Sequence, residues 1–334
     1  MLLSIIISLF PVLLFLLFLI LVDSFKLVKF SFVLKIIICG CCIAAVSYGL
    51  EKLFKSIIEV NSISIVIAPP VEEILKAIII IWLFSTKKIG FLTDAAIVGF
   101  AVGAGFSLFE NSLYLTILTQ ETFFTWLLRG FGTAIMHGST TCMVAIISGY
   151  LIEKKNKIRL AYFVPGILLA ILFHLIFNSF ILPPLIMTIL IIVVFSTSIF
   201  IIYERSEKKL QSWLDESFTN NVLLLQSMNG GQFKETRTGQ YLYSLQEILP
   251  REILADIFCY LKIYLELAIR AEAMLMMKET GHGIEKDPSL KDKFSELEYI
   301  ERSIGPSGMA VIKPLLHPSQ KDLWQIYFIQ TQTQ

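Results

Sequence analysis

The chain has 334 residues, of which 55% are hydrophobic, and its mean hydropathy is +0.73. Soluble domains are only about 45–50% apolar, so this composition excludes an ordinary soluble globular protein. The formal net charge of +1 also argues against a nucleic-acid partner, because phosphate binding requires a concentrated basic face.

Seven apolar runs are long enough to cross the roughly 30 Å hydrocarbon core of a bilayer, which takes about 20 helical residues. These runs cover residues 2–22, 30–50, 63–84, 92–118, 123–152, 160–182 and 184–203. Residues 51–62 carry charged side chains between apolar ones, a pattern that predicts a short helix lying at the membrane surface. Residues 1–203 are therefore predicted to form an all-α, polytopic membrane protein of about seven transmembrane helices.

The remaining residues, 204–334, have the composition of a water-soluble tail. Only 22 of the 55 Asp, Glu, Lys and Arg residues lie in residues 1–203, and the other 33 lie in this tail. Apolar residues at helical spacing from Leu254 to Ala268 predict one helix, and a second is predicted over 289–304. We therefore predict a mostly helical domain of unknown role, whose partner the sequence does not identify.

The loops between the runs indicate the orientation. With the N-terminus outside, eleven Lys and Arg residues of the loops and the early tail are cytoplasmic, whereas only Lys52 and Lys55 are outside. Positive charge concentrates on the cytoplasmic side of membrane proteins. The tail is thus predicted to be cytoplasmic.

Four successive spans contain ionisable or amide side chains. A charged group at the centre of a membrane helix costs about 2.5–3.5 kcal/mol, so such groups usually mark function. The third to sixth spans carry Glu72, Glu73 and Lys76; Glu110 and Asn111; Arg129 and His137; and His174 and Asn178. Glu72, Glu110 and His174 lie about eight or nine residues from the outer end of their spans. Their similar depth predicts one shared site in the outer half of the bilayer.

Helical spacing predicts which of these side chains share a face. His174 and Asn178 are four residues apart, and so are Glu72 and Lys76. Glu73 points about 100° away from Glu72. A shared face makes it possible for His174 and Asn178 to act on the same substrate atom.

Two of the charged residues, Lys76 and Arg129, can also be interpreted as having a structural role and no part in the site. In the structural interpretation, Lys76 does no more than neutralise Glu72, which lies one turn before it. Arg129 can reach outward to water, or it can pair with Glu110 or Glu121.

Two further features concern the backbone around these groups. Pro69-Pro70 comes directly before the glutamates and prevents regular helical hydrogen bonding there. Ala95, Gly99 and Gly103 recur every four residues in the fourth span, which predicts close helix packing around Glu110.

These stretches resemble the motifs of the PrsW family of intramembrane proteases, which is related to the CAAX prenyl endopeptidases. The matching stretches follow the family's order on four successive spans: PPVEEILK, FSLFEN, the segment from Arg129 to His137, and HLIFN. The resemblance covers residues 63–182 and leaves out the first span and the tail.

The resemblance implies a substrate and a location. The family cleaves membrane-embedded proteins, and its best-known role is first-step cleavage of a single-pass anti-sigma factor on its outer side. We therefore expect a single-pass membrane protein as substrate, a surrounding of membrane lipid, and a location in the bacterial inner membrane.

Peptide hydrolysis needs an activated water, a stabilised oxyanion and a proton for the leaving amine. A carboxylate in a dry pocket can act as the general base near neutral pH. We therefore expect Glu72 or Glu73 to activate the water, with His137 orienting it. His174 and Asn178 are expected to stabilise the oxyanion.

Glu110 is expected to position one of the histidines or to accept a proton in turn. A zinc protease is the alternative within the enzyme class, with His137, His174 and either Glu72 or Glu73 as ligands. The sequence contains no H-E-x-x-H motif, so the metal-independent reaction is favoured and no cofactor is predicted.

Two other classes of protein fit part of the pattern. Buried acid and histidine chains also serve proton- or ion-coupled transporters, although seven spans without inverted repeats do not favour that class. A non-catalytic membrane scaffold is the third alternative, and the presence of both glutamates and both histidines argues against it.

Overall fold

The computed structural model describes residues 2–23, 28–57, 66–118, 121–280, 282, 287–316 and 329. All regular secondary structure in these ranges is helical, which confirms the all-α prediction. The chain divides into two compact units, Met1–Glu207 and Lys208–Gln334. The assignment of residues 1–203 to the membrane and 204–334 to the cytoplasm stays a prediction.

The helices of the first unit lie close to the predicted spans. They are α1 (Leu2–Val22), α2 (Phe30–Ile57), α3 (Ala68–Ser85), α4 (Leu92–Ile117), α5 (Phe123–Leu128), α6 (Ala134–Lys155), α7 (Val164–Asn178) and α8 (Pro184–Asn229). A π-helix, Arg129–Thr133, joins α5 to α6 without a break, so these three segments form one continuous span. α8 stays helical well past residue 203, where the last apolar run was predicted to end.

Six helical segments of the described chain are long and apolar enough to cross a membrane, so the predicted count of seven is not confirmed. The missing one is α3, whose 18 residues carry three charges. Pro69 and Pro70 lie in its first turn, where a missing N–H costs little, so they start the helix rather than interrupt it. Glu73 and Lys76 are fully buried within the fold, and their charges therefore do not face lipid.

The surface helix predicted over residues 51–62 is wrong for its first half. Residues 51–57 continue α2, and 58–65 lie outside the described residues. The Lys55 Nζ is 2.7 Å from the Glu51 Oε1 one turn earlier, an i,i+4 pair of the kind that stabilises helices. α2 therefore extends beyond its apolar run.

The first unit, Met1–Glu207, is called the membrane unit below. α4 lies at its centre, with α1, α2 and α6 packed against it, and residues 93–107 of α4 are all buried. A methyl group added at Gly103 would lie 2.1 Å from the His137 carbonyl oxygen. One added at Gly99 would lie 2.8 Å from the backbone of α6. The predicted close packing is thus confirmed, and it places His137 of α6 beside the helix that carries Glu110.

The second unit has a separate helical core. Its helices after α8 are α9 (Arg237–Ser244), α10 (Arg251–Glu279) and α11 (Ser289–Leu316). α10 contains the predicted apolar stripe, most of which is buried. α11 contains the helix predicted over 289–304 and kinks at Gly305, whose φ is 71°. The described part of the tail is mostly helical, as predicted.

Candidate active site

Six of the predicted site residues line one cavity of about 680 Å³ in the membrane unit. They are Glu72, Glu110, Arg129, His137, His174 and Asn178. These residues come from α3, α4, the π-helix, α6 and α7, so five segments contribute to one space. The residues that the sequence placed at similar depth therefore line one cavity in the structure. Their catalytic roles stay predictions.

The two adjacent glutamates of α3 have different surroundings. The Glu72 side chain lines the cavity and is 16% exposed, whereas the Glu73 side chain is fully buried. Glu73 Oε1 lies 2.6 Å from Lys76 Nζ and 2.8 Å from His174 Nδ1, and it accepts a hydrogen bond from the Thr140 hydroxyl at 3.3 Å. Its Oε2 has no hydrogen-bond partner among the described residues.

Lys76 pairs with Glu73. The sequence had suggested Glu72 as its partner, because Glu72 and Lys76 share a helix face. Residues three apart on a helix are neighbours as close as residues four apart, and burial of Lys76 on the inner face decides between them. Lys76 Nζ also lies 3.2 Å from His137 Nδ1. Lys76 therefore forms its ion pair with Glu73 and contacts His137, so the interpretation in which it only neutralises Glu72 is wrong.

A chain of polar contacts leads from His137 to the first helix. His137 Nε2 lies 2.9 Å from Glu110 Oε2, and Glu110 Oε1 accepts a hydrogen bond from Arg129 Nη2 at 3.1 Å. The Arg129 Nε donates to Asn111 Oδ1 at 3.1 Å. The Asn111 amide in turn donates to the Ser8 carbonyl oxygen at 2.9 Å. Of the alternatives for Arg129, the structure thus contains the pair with Glu110.

The π-helix Arg129–Thr133 was not predicted, since the apolar run that contains it is continuous. Such short π-segments inside α-helices often occur at functional sites. Here Arg129, at the start of the π-helix, donates to Glu110 and Asn111. The π-helix leads directly into α6, which begins at Ala134 and carries His137 in its first turn.

The two histidines meet beside Glu72. The His137 and His174 rings are nearly perpendicular, with centroids 4.9 Å apart. His174 Nε2 lies 3.9 Å from Glu72 Oε2. One potential ligand atom from each of Glu72, His137 and His174 lies within 4.8 Å of the other two. Carboxylate and imidazole atoms at these separations can bind a common divalent cation.

A family model described as the PrsW family intramembrane metalloproteases matches residues 24–203, more than half of the chain. The chain belongs to the PrsW family. No curated protein and no solved structure matched it. PrsW membership identifies the chain as an integral membrane protein and an intramembrane protease, and the match includes every predicted site residue.

Two residues of this PrsW site were not predicted. Thr140 donates to Glu73, and Phe106 lies against both Lys76, whose Nζ is 4.9 Å from the ring centroid, and His137, whose ring is 5.0 Å away. Thr140 follows His137 by three residues, a spacing that points to the same helix face. Phe106 is the first residue of the FSLFEN stretch, but that resemblance gave it no role, and hydroxyl residues such as Thr140 are common in membrane spans.

Proposed function

We propose that the chain is an intramembrane endopeptidase in which Glu72 activates the water that attacks the peptide bond. The supporting observation is the difference between the two adjacent glutamates. Glu72 lines the cavity beside His174, whereas Glu73 is buried and bonded to Lys76 and His174. A general base must reach both the water and the substrate, and this requirement favours Glu72.

In this proposal Glu72 takes a proton from the water while the water oxygen attacks the scissile carbonyl carbon. When the carbon–nitrogen bond breaks, Glu72 gives that proton to the leaving amine. His174 points Nε2 toward Glu72 and orients the water, because its Nδ1 is held by Glu73.

The same contact narrows the assignment of the oxyanion donor. In this proposal His174 carries a single N–H, on the Nδ1 that lies 2.8 Å from the Glu73 carboxylate, so its Nε2 has no proton to donate. The Asn178 side chain lines the same cavity and carries two N–H donors. We therefore assign stabilisation of the oxyanion to Asn178 alone, where the sequence had suggested both residues.

A metal-dependent form of the same protease is the second candidate. Two histidines and one glutamate within 4.8 Å of one another fit Zn²⁺, and the Glu73 contact to His174 Nδ1 matches the outer partner that orients a metal-bound histidine. The family is also described as one of metalloproteases. In this form Glu72, His137 and His174 would hold the ion, and the ion would supply a Lewis acid to the site.

The Glu72 assignment is tested with the isosteric change Glu72→Gln. Cleavage of a co-expressed single-pass membrane protein should fall roughly 100-fold or more, because the amide cannot accept the proton. The same change at the exposed Glu121 should leave cleavage at the wild-type rate. Wild-type cleavage by Glu72→Gln, at equal expression and thermal stability, would contradict both forms of the proposal.

The two forms differ in their response to metal removal. Purified protein is analysed for bound metal and assayed across a chelator series. The metal-free form predicts undiminished cleavage in protein shown to be metal-depleted. The metal-dependent form predicts loss of cleavage and its recovery on adding zinc.

We further propose a single-pass membrane protein, such as an anti-sigma factor, as the substrate, and the bacterial inner membrane as the location. The cavity in the membrane unit supports a membrane-embedded substrate. Proteomics of cells with the wild-type protein and with Glu72→Gln identifies the substrate as the protein that accumulates uncut. Ion flux that depends on Glu72, with no substrate cut, would instead indicate a transporter.

A further inference from the structure

Thr188 of α8 lies at the wall of the active-site cavity, and its hydroxyl has no partner among the described residues. The residue is only 4% exposed, and its Oγ1 has no hydrogen-bond partner in the described part of the chain. Thr188 lines the same cavity as Glu72, His174 and Asn178. None of the sequence motifs includes it.

Several other hydroxyls of the membrane unit bond to their own helix, although those of Ser107, Ser139 and Ser148 also lack a partner among the described residues. A helical Ser or Thr commonly donates to a carbonyl three or four residues earlier in its own helix. Ser198 of the same helix donates to the Val194 oxygen at 2.7 Å, and Thr141 of α6 donates to the His137 oxygen at 3.0 Å. Thr188 makes no such bond to the α8 backbone.

The surroundings of Thr188 leave room for its hydroxyl. A methyl group added at Gly132, in the π-helix, would lie 2.4 Å from Thr188 Oγ1 and 3.4 Å from the Phe177 ring. The absence of a side chain at Gly132 therefore lets the hydroxyl occupy the space between the π-helix and α7.

A protease that cuts within the membrane requires polar side chains that can hydrogen-bond to the main chain of its substrate. Inside a bilayer, the backbone N–H and C=O groups of a substrate must be satisfied without water. A helix hides its peptide bonds, so the segment to be cut must unwind, and each freed backbone group that stays unpaired costs about 1–3 kcal/mol. A hydroxyl can both donate and accept, and can therefore satisfy either kind of backbone group.

We propose that Thr188 is a substrate-binding residue whose hydroxyl bonds to the main chain of the unwound substrate segment next to the scissile bond. This inference rests on the proposed function of the chain as an endopeptidase. Asn178 donates to the oxyanion of the reacting carbonyl group, and Thr188 hydrogen-bonds to a neighbouring peptide group.

The test compares Thr188→Val, which keeps the shape of the side chain but removes the hydroxyl, with Thr188→Ser, which keeps the hydroxyl. Thr188→Val should lower kcat/KM roughly tenfold, mainly through a higher KM, because one backbone group of the bound substrate loses its partner. Thr188→Ser should stay within about twofold of wild type. Binding of the same single-pass substrate to protein in nanodiscs, measured in a Glu72→Gln background, should weaken in parallel for the valine variant only.

The matched control is Ser148→Ala. Ser148 is fully buried in α6 and its hydroxyl also lacks a partner among the described residues, but it does not line the cavity. Its removal should leave kcat/KM unchanged.

Two results would overturn the inference. One is a Thr188→Val variant with wild-type kcat/KM and substrate binding. The other is a Thr188→Ser variant that loses as much as Thr188→Val, because the methyl group and not the hydroxyl would then matter. Either result leaves the proposed function intact as long as Glu72→Gln abolishes cleavage, whereas cleavage by Glu72→Gln rejects the proposed function itself.

Discussion

At the scale of single residues, adjacent carboxylates on α3 are separated by their environments. Successive residues of a helix point about 100° apart, so Glu72 and Glu73 cannot face the same space. Glu73 lies behind the cavity with Lys76, and this pair of buried opposite charges also holds His174 and contacts His137. We infer that Glu73 and Lys76 position the two histidines, while Glu72 meets the substrate.

This difference predicts that the two glutamine variants behave differently. Glu73→Gln leaves the Lys76 charge buried without its partner, and breaking such a pair costs about 3–5 kcal/mol. Thermal unfolding in detergent should therefore show strong destabilisation of Glu73→Gln, with Glu72→Gln close to wild type.

Lys76→Met should also be strongly destabilising, because it leaves the Glu73 carboxylate buried without its partner. The double variant Glu73→Gln/Lys76→Met removes both charges and should recover much of the stability that each single variant loses. If the double variant loses as much thermal stability as the two single variants together, the two residues are not coupled. Cleavage by the double variant should stay reduced, because His174 loses the carboxylate at its Nδ1.

At the scale of elements, glycines determine how closely α4 approaches its neighbours. Gly103 faces α6 at the His137 carbonyl oxygen, and Gly105 faces α2, where an added methyl group would lie 2.0 Å from the Ile37 oxygen. In both places the neighbour is backbone and cannot rotate away. The position of the His137 side chain in the cavity therefore depends on a small residue in another helix.

We predict that Gly103→Ala separates α4 from α6, costs roughly 1–3 kcal/mol of stability, and lowers cleavage by moving His137 away from Glu110. The matched control is Gly49→Ala in α2, where an added methyl group meets nothing within 4 Å. Alanine is the better helix former, so that control should be neutral or slightly stabilising. Thermal unfolding and the cleavage assay measure both effects, and equal behaviour of the two variants would contradict the packing argument.

At the scale of the whole molecule, the fold explains how α3 can cross a membrane with three charged residues. Two of its charges, Glu73 and Lys76, neutralise each other away from lipid, and the third, Glu72, faces the cavity. A helix with internally paired charges avoids most of the cost of inserting them. We therefore propose that α3 is the seventh span, in addition to the six apolar enough to be recognised by composition.

Seven spans put the two ends of the membrane unit on opposite sides, which a reporter can test. A reporter fused after Tyr203 or at the C-terminus should be active only in the cytoplasm, and one at Gln120 should be active only outside, in line with the distribution of Lys and Arg. A reporter at the N-terminus should be active only outside, and if it reports the same side as the fusion after Tyr203, α3 does not cross or the spans are miscounted. An inverted pattern would place the site in the inner half of the bilayer.

The sequence by itself determined the all-α class, the positions of the apolar spans and the residues that meet in the cavity. Apolar length and the cost of buried charge are properties of each segment alone, so they can be seen without a fold. Only the tertiary structure decided that Glu72 and not Glu73 faces the cavity, that Lys76 pairs with Glu73, and that Thr188 lines the same cavity. Periodicity gives the angle between residues of one helix but not the rotation of that helix against its neighbours, which packing at positions such as Gly103 sets.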